Sequence, residues 1–376
     1  MTKQKKIIIA VVAIIIAALG WYFLTKVKAK KVKQININGN PAVQNTGPVN
    51  SGNVSPFSGL ACPNWNRRPI AVMQPADVSA RPAAGFSQAD MVFEMPVVTA
   101  SITRLMAVYV CNNPDEVGSM RSARHDFIAL AKGIDAVFVH WGGSHYALDK
   151  LKEGIIDDMN CNNDGGKSAQ KYCYRKPKSE LANKRAFPNV PLKSDDTGYA
   201  KFSKLLEGAK AFNYKMTNDF SGYSHQAELP LDQRPNGGEL NVNFAKPFNA
   251  SYTYDRNTNS YLRTWGGVAD IDRNNDQRIA PKNIVVMTAK SYQMIQGLQY
   301  NNVELGDPWY DTSDSGPAHY YMNGQEYTGT WKKDKSRLDS KLYFYDSSGN
   351  EIKFAPGQIW VEILEPGQGL HWKPTP

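Results

Sequence analysis

The residues best equipped for chemistry lie in one stretch, Val117 to Leu148, which reads VGSMRSARHDFIALAKGIDAVFVHWGGSHYAL. Arg121 and Arg124 stand where a helix is expected to begin, and Arg104 sits on the strand before it. Guanidinium groups bind carboxylate or phosphate oxygens in a bidentate fork and keep their charge when partly buried. A helix start adds unpaired backbone N–H groups that favour an anion. The stretch therefore predicts an anion-binding cleft, while the same arginines could instead pair with Asp90, Glu94 or Asp126 in a structural network.

A second feature follows within one strand-helix step. Ala136–Trp141 reads as a strand that runs into Gly142, Gly143 and Ser144 and then into a helix. Glycines allow close backbone approach to a ligand, and the helix start is again positive. The pattern lacks the glycine spacing of a dinucleotide fold and the GK[ST] of a P-loop, so a tight turn is the better account of it, although its nearness to the arginines lets the two helix starts face one cleft. His125, His140 and His145 lack the i, i+4 pairing of a zinc helix, and Ser119, Ser122 and Ser144 lack a GxSxG elbow. No metal site is expected from them, and no complete catalytic set stands out. Asp270, Asp272, Asn274 and Asp276 resemble half a calcium loop, but Asn275 and Pro281 occupy the positions that need Gly and Glu, which points to a polar turn.

These residues need elements to hold them. Apolar runs predict strands at Ile70–Met73, Met91–Val97, Ile102–Val110 and Ala136–Trp141, with an antiparallel hairpin from the second and third. Helical spacing predicts helices near Ser122–Lys132, Ser144–Glu153 (capped by Ser144) and Gly198–Phe212. After Leu240 short β-type runs alternate with turn clusters. The expected fold is α+β, with a layered domain of mixed sheet and helices over residues 61–238 and a mostly β domain over 239–376.

Ahead of them come a short tail with an apolar segment (1–33) and a stretch rich in Asn, Gly, Pro and Ser (34–60), expected to be a flexible linker. Ile7–Leu24 is uncharged and long enough to span a bilayer at ~1.5 Å per residue. The aromatic residues at its end, Trp21, Tyr22 and Phe23, and the lysines that follow read as a retained anchor rather than a cleaved signal. The net charge is +9, but residues 1–33 hold eight lysines and no acid, leaving 36 basic against 35 acidic residues. A nearly neutral body is not expected to bind nucleic acid. The lysines after the apolar segment would argue for an inward body. A long body translocates largely regardless of such charge, so a single-pass protein of the cell membrane with its body outside the cytoplasm is expected. Four cysteines agree with that compartment. Cys161 and Cys173 bracket a polar loop and are expected to pair; a bridge between Cys62 and Cys111 follows by elimination only, and the sequence leaves that pairing open.

The blocks RPIAVMQ, ARPAAGFSQADMVFEMPV, ITRLMAVYV, VGSMRSAR and AVFVHWGGS, with NIVV, YTGTW and FAPGQIWVEI further on, resemble the YerB-type family of bacterial envelope lipoproteins. That resemblance spans about residues 58–364 and implies two domains held outside the membrane, here by a helix in place of a lipidated cysteine. A fainter resemblance, to the LytR-CpsA-Psr enzymes that move lipid-linked polymers onto peptidoglycan, matches Asp90 and Arg121. It implies an alternative phosphotransferase in which Asp90 holds magnesium while Arg121 and Arg124 clamp a pyrophosphate; otherwise no cofactor is expected. Ser122 stands where those enzymes carry an aspartate, and no arginine immediately precedes Asp90. The expected function is binding of an anionic cell-wall component or a wall-synthesis protein through the arginine-lined cleft of Arg104, Arg121 and Arg124.

Overall fold

A computed structural model describes residues 53–295 and 300–375. The expected membrane span and residues 34–52 of the expected linker lie outside the described residues, among which no helix is long and apolar enough to cross a membrane.

The core is a ten-stranded mixed sheet. From one edge its order is Tyr343–Asp346, Gln325–Lys332, Ser315–Met322, Asn283–Thr288, Ile359–Leu364, Met91–Pro96, Thr103–Tyr109, Ile70–Pro75, Val137–His140 and Asp158–Asn160. The expected hairpin is present, with Met91 opposite Val108 and Met95 opposite Arg104. The central strands are buried on both faces, which is why they read as unbroken apolar runs rather than alternating ones.

Helix α1 (His125–Gly133) and helix α2 (His145–Lys152) cover one face, where Phe127, Leu130, Leu148 and Leu151 meet Met73, Phe93 and Met106. The opposite face carries a five-stranded antiparallel sheet, in the order Val268–Ala269, Ser260–Trp265, Ala250–Asp255, Gly237–Asn243 and Gly369–Thr375. Its Leu240, Val242 and Tyr252 join Val72, Leu105 and Trp360 in the second core. The fold is thus α+β, and the C-terminal segment is mostly β, as expected. The two segments nonetheless share the large sheet, because Ile359–Leu364 pairs in parallel with Met91–Pro96. Not every short apolar run after Leu240 becomes a strand: Ile352–Phe354 forms none.

The chain joins the fold earlier than its composition suggests. Val54 bridges to Ala61, and Phe57 is fully buried, its ring stacked on Phe220 at 4.9 Å. The linker expected to run to residue 60 therefore gives way to packed structure by Asn53–Ser58, since one buried aromatic outweighs the local Asn, Gly and Pro content. Both disulfides form, Cys161–Cys173 across 12 residues and Cys62–Cys111 across 49. Asp270–Asp276 makes the expected polar turn. Asp272 accepts from the backbone N–H groups of Gly85, Ser87 and Asn274, which ties that turn to the first segment.

Candidate functional site

The two glycine- and arginine-bearing stretches lie side by side. Arg121–Ala123 runs as a short added strand beside Trp141–Ser144: Trp141 N donates to Arg121 O at 3.0 Å, Ala123 N to Gly142 O at 2.8 Å and Ser144 N to Ala123 O at 3.1 Å. This ladder places the starts of α1 and α2 next to each other. Arg124 precedes α1, and Ser144 caps α2 by accepting from Ala147 N at 3.3 Å. Gly142 adopts a left-handed φ of +66°, and a Cβ there would come within 2.7 Å of Asp164 Oδ2. Gly143 is hemmed in by Leu148, whose side chain would lie 2.9 Å from a Cβ.

The turn is held from behind by two buried side chains. His140 Nδ1 lies 2.8 Å from Gly142 O, and its Nε2 lies 3.2 Å from Asp158 Oδ2. Asn160 Oδ1 accepts from Gly142 N and Asn162 N at 2.9 and 2.8 Å, while its amide donates to Asp164 Oδ1 at 2.8 Å. The Cys161–Cys173 bridge closes the loop that follows Asn160. His140 thus orients backbone rather than acting on a ligand.

All three arginines converge on this ladder. Arg104, only 6% exposed, reaches from the start of its strand to donate to Ser122 O at 2.8 Å. Arg121 bonds Asp77 at 3.1 Å and Asp195 at 2.7 Å, and Arg124 donates to Ala123 O at 2.9 Å. None of the expected partners Asp90, Glu94 and Asp126 is used. Among the described residues Arg104 and Arg124 pair with no carboxylate, and the Nε of each of the three arginines is buried without a partner. Burial, together with the neighbouring charges of Arg124 and Arg121, pushes the Arg104 guanidinium well below its ordinary pKa. Burial also lowers Arg124, with Arg121 adding to the effect. Arg121 is held up against its own burial by Asp77 and Asp195. An oxyanion placed among the three would satisfy the idle donors and relieve their mutual repulsion.

Asp90 is elsewhere. Its carboxylate accepts from Ser55 Oγ at 2.7 Å and from the backbone N–H groups of Val110 and Cys111 at 2.8 and 3.1 Å. Val110 follows Arg104 by six positions, roughly 20 Å of extended chain at ~3.4 Å per residue. A magnesium ion on Asp90 would therefore not meet a phosphate on Arg121, and the magnesium-pyrophosphate arrangement implied by the LytR-CpsA-Psr resemblance does not assemble. Asp90 instead secures the entering N-terminal segment to the end of the strand. Glu94 and Asp126 are likewise spent, Glu94 on Thr103 and Arg263 and Asp126 on Val303 N.

Two family domains match this arrangement of segments. The N-terminal and C-terminal domains of a family described as a protein of unknown function, DUF3048, match residues 57–210 and 240–361 respectively. The chain belongs to the DUF3048 family. A curated relative, the putative lipoprotein YerB of Bacillus subtilis (strain 168), is 26% identical over 317 residues, covering 82% of this chain and 86% of its own. The crystal structure of the YerB protein from Bacillus subtilis superposes with a TM-score of 0.68 at 23% identity, over 85% of this chain and 99% of that one, and shows the shared fold. Arg104, Arg121, Arg124 and the Gly142–Ser144 turn all fall inside the N-terminal DUF3048 domain.

Proposed function

We propose that this DUF3048 protein is anchored in the cell membrane by a single N-terminal span, with its body outside the cytoplasm, and binds an anionic group of a cell-wall component at Arg104, Arg121 and Arg124. One observation carries the binding reading: two buried or nearly buried guanidinium groups without a carboxylate partner lie beside a third at two adjoining helix starts. Asp77, Asp195 and Asp126 act on these charges only without contact, and a buried charge with no ion pair of its own is costly, a cost that an incoming phosphate or carboxylate would reduce. The anchoring reading is supported by the apolar, uncharged run Ile7–Leu24, by the name of the lipoprotein relative and by two disulfides, which persist in oxidising compartments.

Calorimetric titration of the full chain in detergent with inorganic pyrophosphate tests the site. The expected result is saturable binding that Arg104→Gln and Arg124→Gln each weaken at least about ten-fold, the loss of one charge-assisted bond of roughly 1.5–3 kcal/mol. Unchanged affinity in both variants would overturn the reading. Protease shaving of intact cells tests the placement, since a body inside the cytoplasm would stay uncut.

A further inference from the structure

Next to Arg124 the surface changes from charged to aromatic. His125, immediately after it, lies 5.8 Å ring to ring from Tyr146 and 5.2 Å from Tyr310. His145 lies against Tyr146 with tilted rings at 4.0 Å and meets Tyr300 edge-on at 5.1 Å, while Tyr146 and Tyr300 are 5.7 Å apart. Tyr300 is near enough to Arg124 to act on its guanidinium electrostatically. Beyond Tyr310 the ledge ends on Trp309, which is 51% exposed and carries the Lys150 ammonium over its ring at 4.2 Å. His145 is exposed, and Tyr146, Tyr300 and Tyr310 are each partly open to solvent.

We infer that the anionic ligand is a glycan, with a phosphate or carboxylate held by Arg104 and Arg124 and the adjoining sugar ring laid on the ledge of His145, Tyr146 and Tyr300. This inference rests on the anion-binding reading above and adds the identity of what carries the charge. A pyranose has one flat face of C–H groups and a rim of hydroxyls, and it needs flat apolar surface bordered by polar atoms. Rings that end in phenol and imidazole groups supply both. A lipid chain would need a continuous apolar groove, which interleaved hydroxyls and ring nitrogens interrupt. A nucleic acid strand would need a run of cations, whereas two unpaired guanidinium groups match one anionic group per binding event. The buried Arg104, its Nε without a partner, marks where that group goes.

The test compares three probes on the full chain in detergent: inorganic phosphate, N-acetylglucosamine 1-phosphate and neutral chitobiose. The sugar phosphate is expected to bind at least about ten-fold more tightly than phosphate. Tyr300→Ala and His145→Ala are expected to erase that advantage while leaving phosphate affinity unchanged, and Arg124→Gln to weaken both charged probes. Both ring residues are open to solvent, and thermal unfolding of the variants verifies that the fold is intact. Equal affinities for phosphate and sugar phosphate, or no effect of the ring variants, would overturn the glycan inference while leaving the anion site standing. Failure of every charged probe to bind would remove both.

Discussion

Glu94 and Glu362 stand opposite each other on neighbouring parallel strands, both fully buried, with the Arg263 guanidinium reaching to each. Arg263 also bonds Asp270 and Tyr252, and the buried Arg81 lies 3.5 Å from Asp270. Two arginines therefore face three carboxyl groups. Burial raises both carboxyls of the Glu94–Glu362 pair, Glu362 to about 8, so the pair shares one proton at neutral pH and the network balances at two charges of each sign.

This balance makes stability pH-dependent. The folded-state pKa of Glu362 lies above its ordinary value of 4.5, so the native state binds a proton the unfolded chain has released between about pH 4.5 and 8. The contribution is complete below that window and is lost as pH rises through 8. The urea midpoint is expected to fall across the window, with a limiting slope of about 1.4 kcal/mol per pH unit for one proton. Glu362→Gln should flatten that slope, which equilibrium unfolding at several pH values will check.

Removing the shared cation is a harsher change. Arg263→Met leaves Glu94 and Asp270 buried without their main partner, and a loss of about 3–5 kcal/mol is expected. Chemical denaturation measures it; a change under 1 kcal/mol would mean that Arg81 alone can neutralise the cluster.

Asp90 separates a structural role from a metal-binding one. Asp90→Ala abandons hydrogen bonds from Ser55, Val110 and Cys111, and should lower stability by about 1–3 kcal/mol. Pyrophosphate affinity is expected to stay at the wild-type value, with or without magnesium. A magnesium-dependent loss of affinity would instead place Asp90 at the ligand.

The two bridges close loops of different length, and loop entropy ranks them. Cys161→Ala with Cys173→Ala should cost about 3 kcal/mol, and Cys62→Ala with Cys111→Ala about 4. Denaturant titration of the two double variants checks the order. The longer bridge also fastens the segment carrying Phe57, so limited proteolysis before residue 62 should accelerate only when that bridge is absent.

The local features were legible because local rules create them. The strands Ile70–Pro75 and Met91–Pro96 announce themselves as apolar runs, and Ser144 as a cap, since strand burial and helix starts impose their own residue types. The convergence of Arg121–Ala123 with Trp141–Ser144 was foreshadowed by their separation of one strand-helix step. What could not be read were partners chosen by tertiary contact. Asp77 and Asp195 lie 44 and 74 positions from the Arg121 they hold. Phe57 sat among Asn, Gly and Pro, and only Phe220 and Tyr223, far along the chain, show why it is buried. The Glu94–Glu362 pair did leave a signal, because one acid stands in each of the otherwise apolar runs MVFEMP and IWVEIL. The aromatic ledge left none, being assembled from residues near 146, 300 and 310.

The seam between Ile359–Leu364 and Met91–Pro96 makes the two halves of the sequence mutually dependent. Severed near residue 238, the N-terminal portion would expose the bare rim of a strand apolar but for Glu94, an invitation to stack with other copies. The other portion would lose the strand on which its own middle leans. Neither piece is a module that can be borrowed alone, so a ligand site on the first half inherits its rigidity from residues more than two hundred positions downstream.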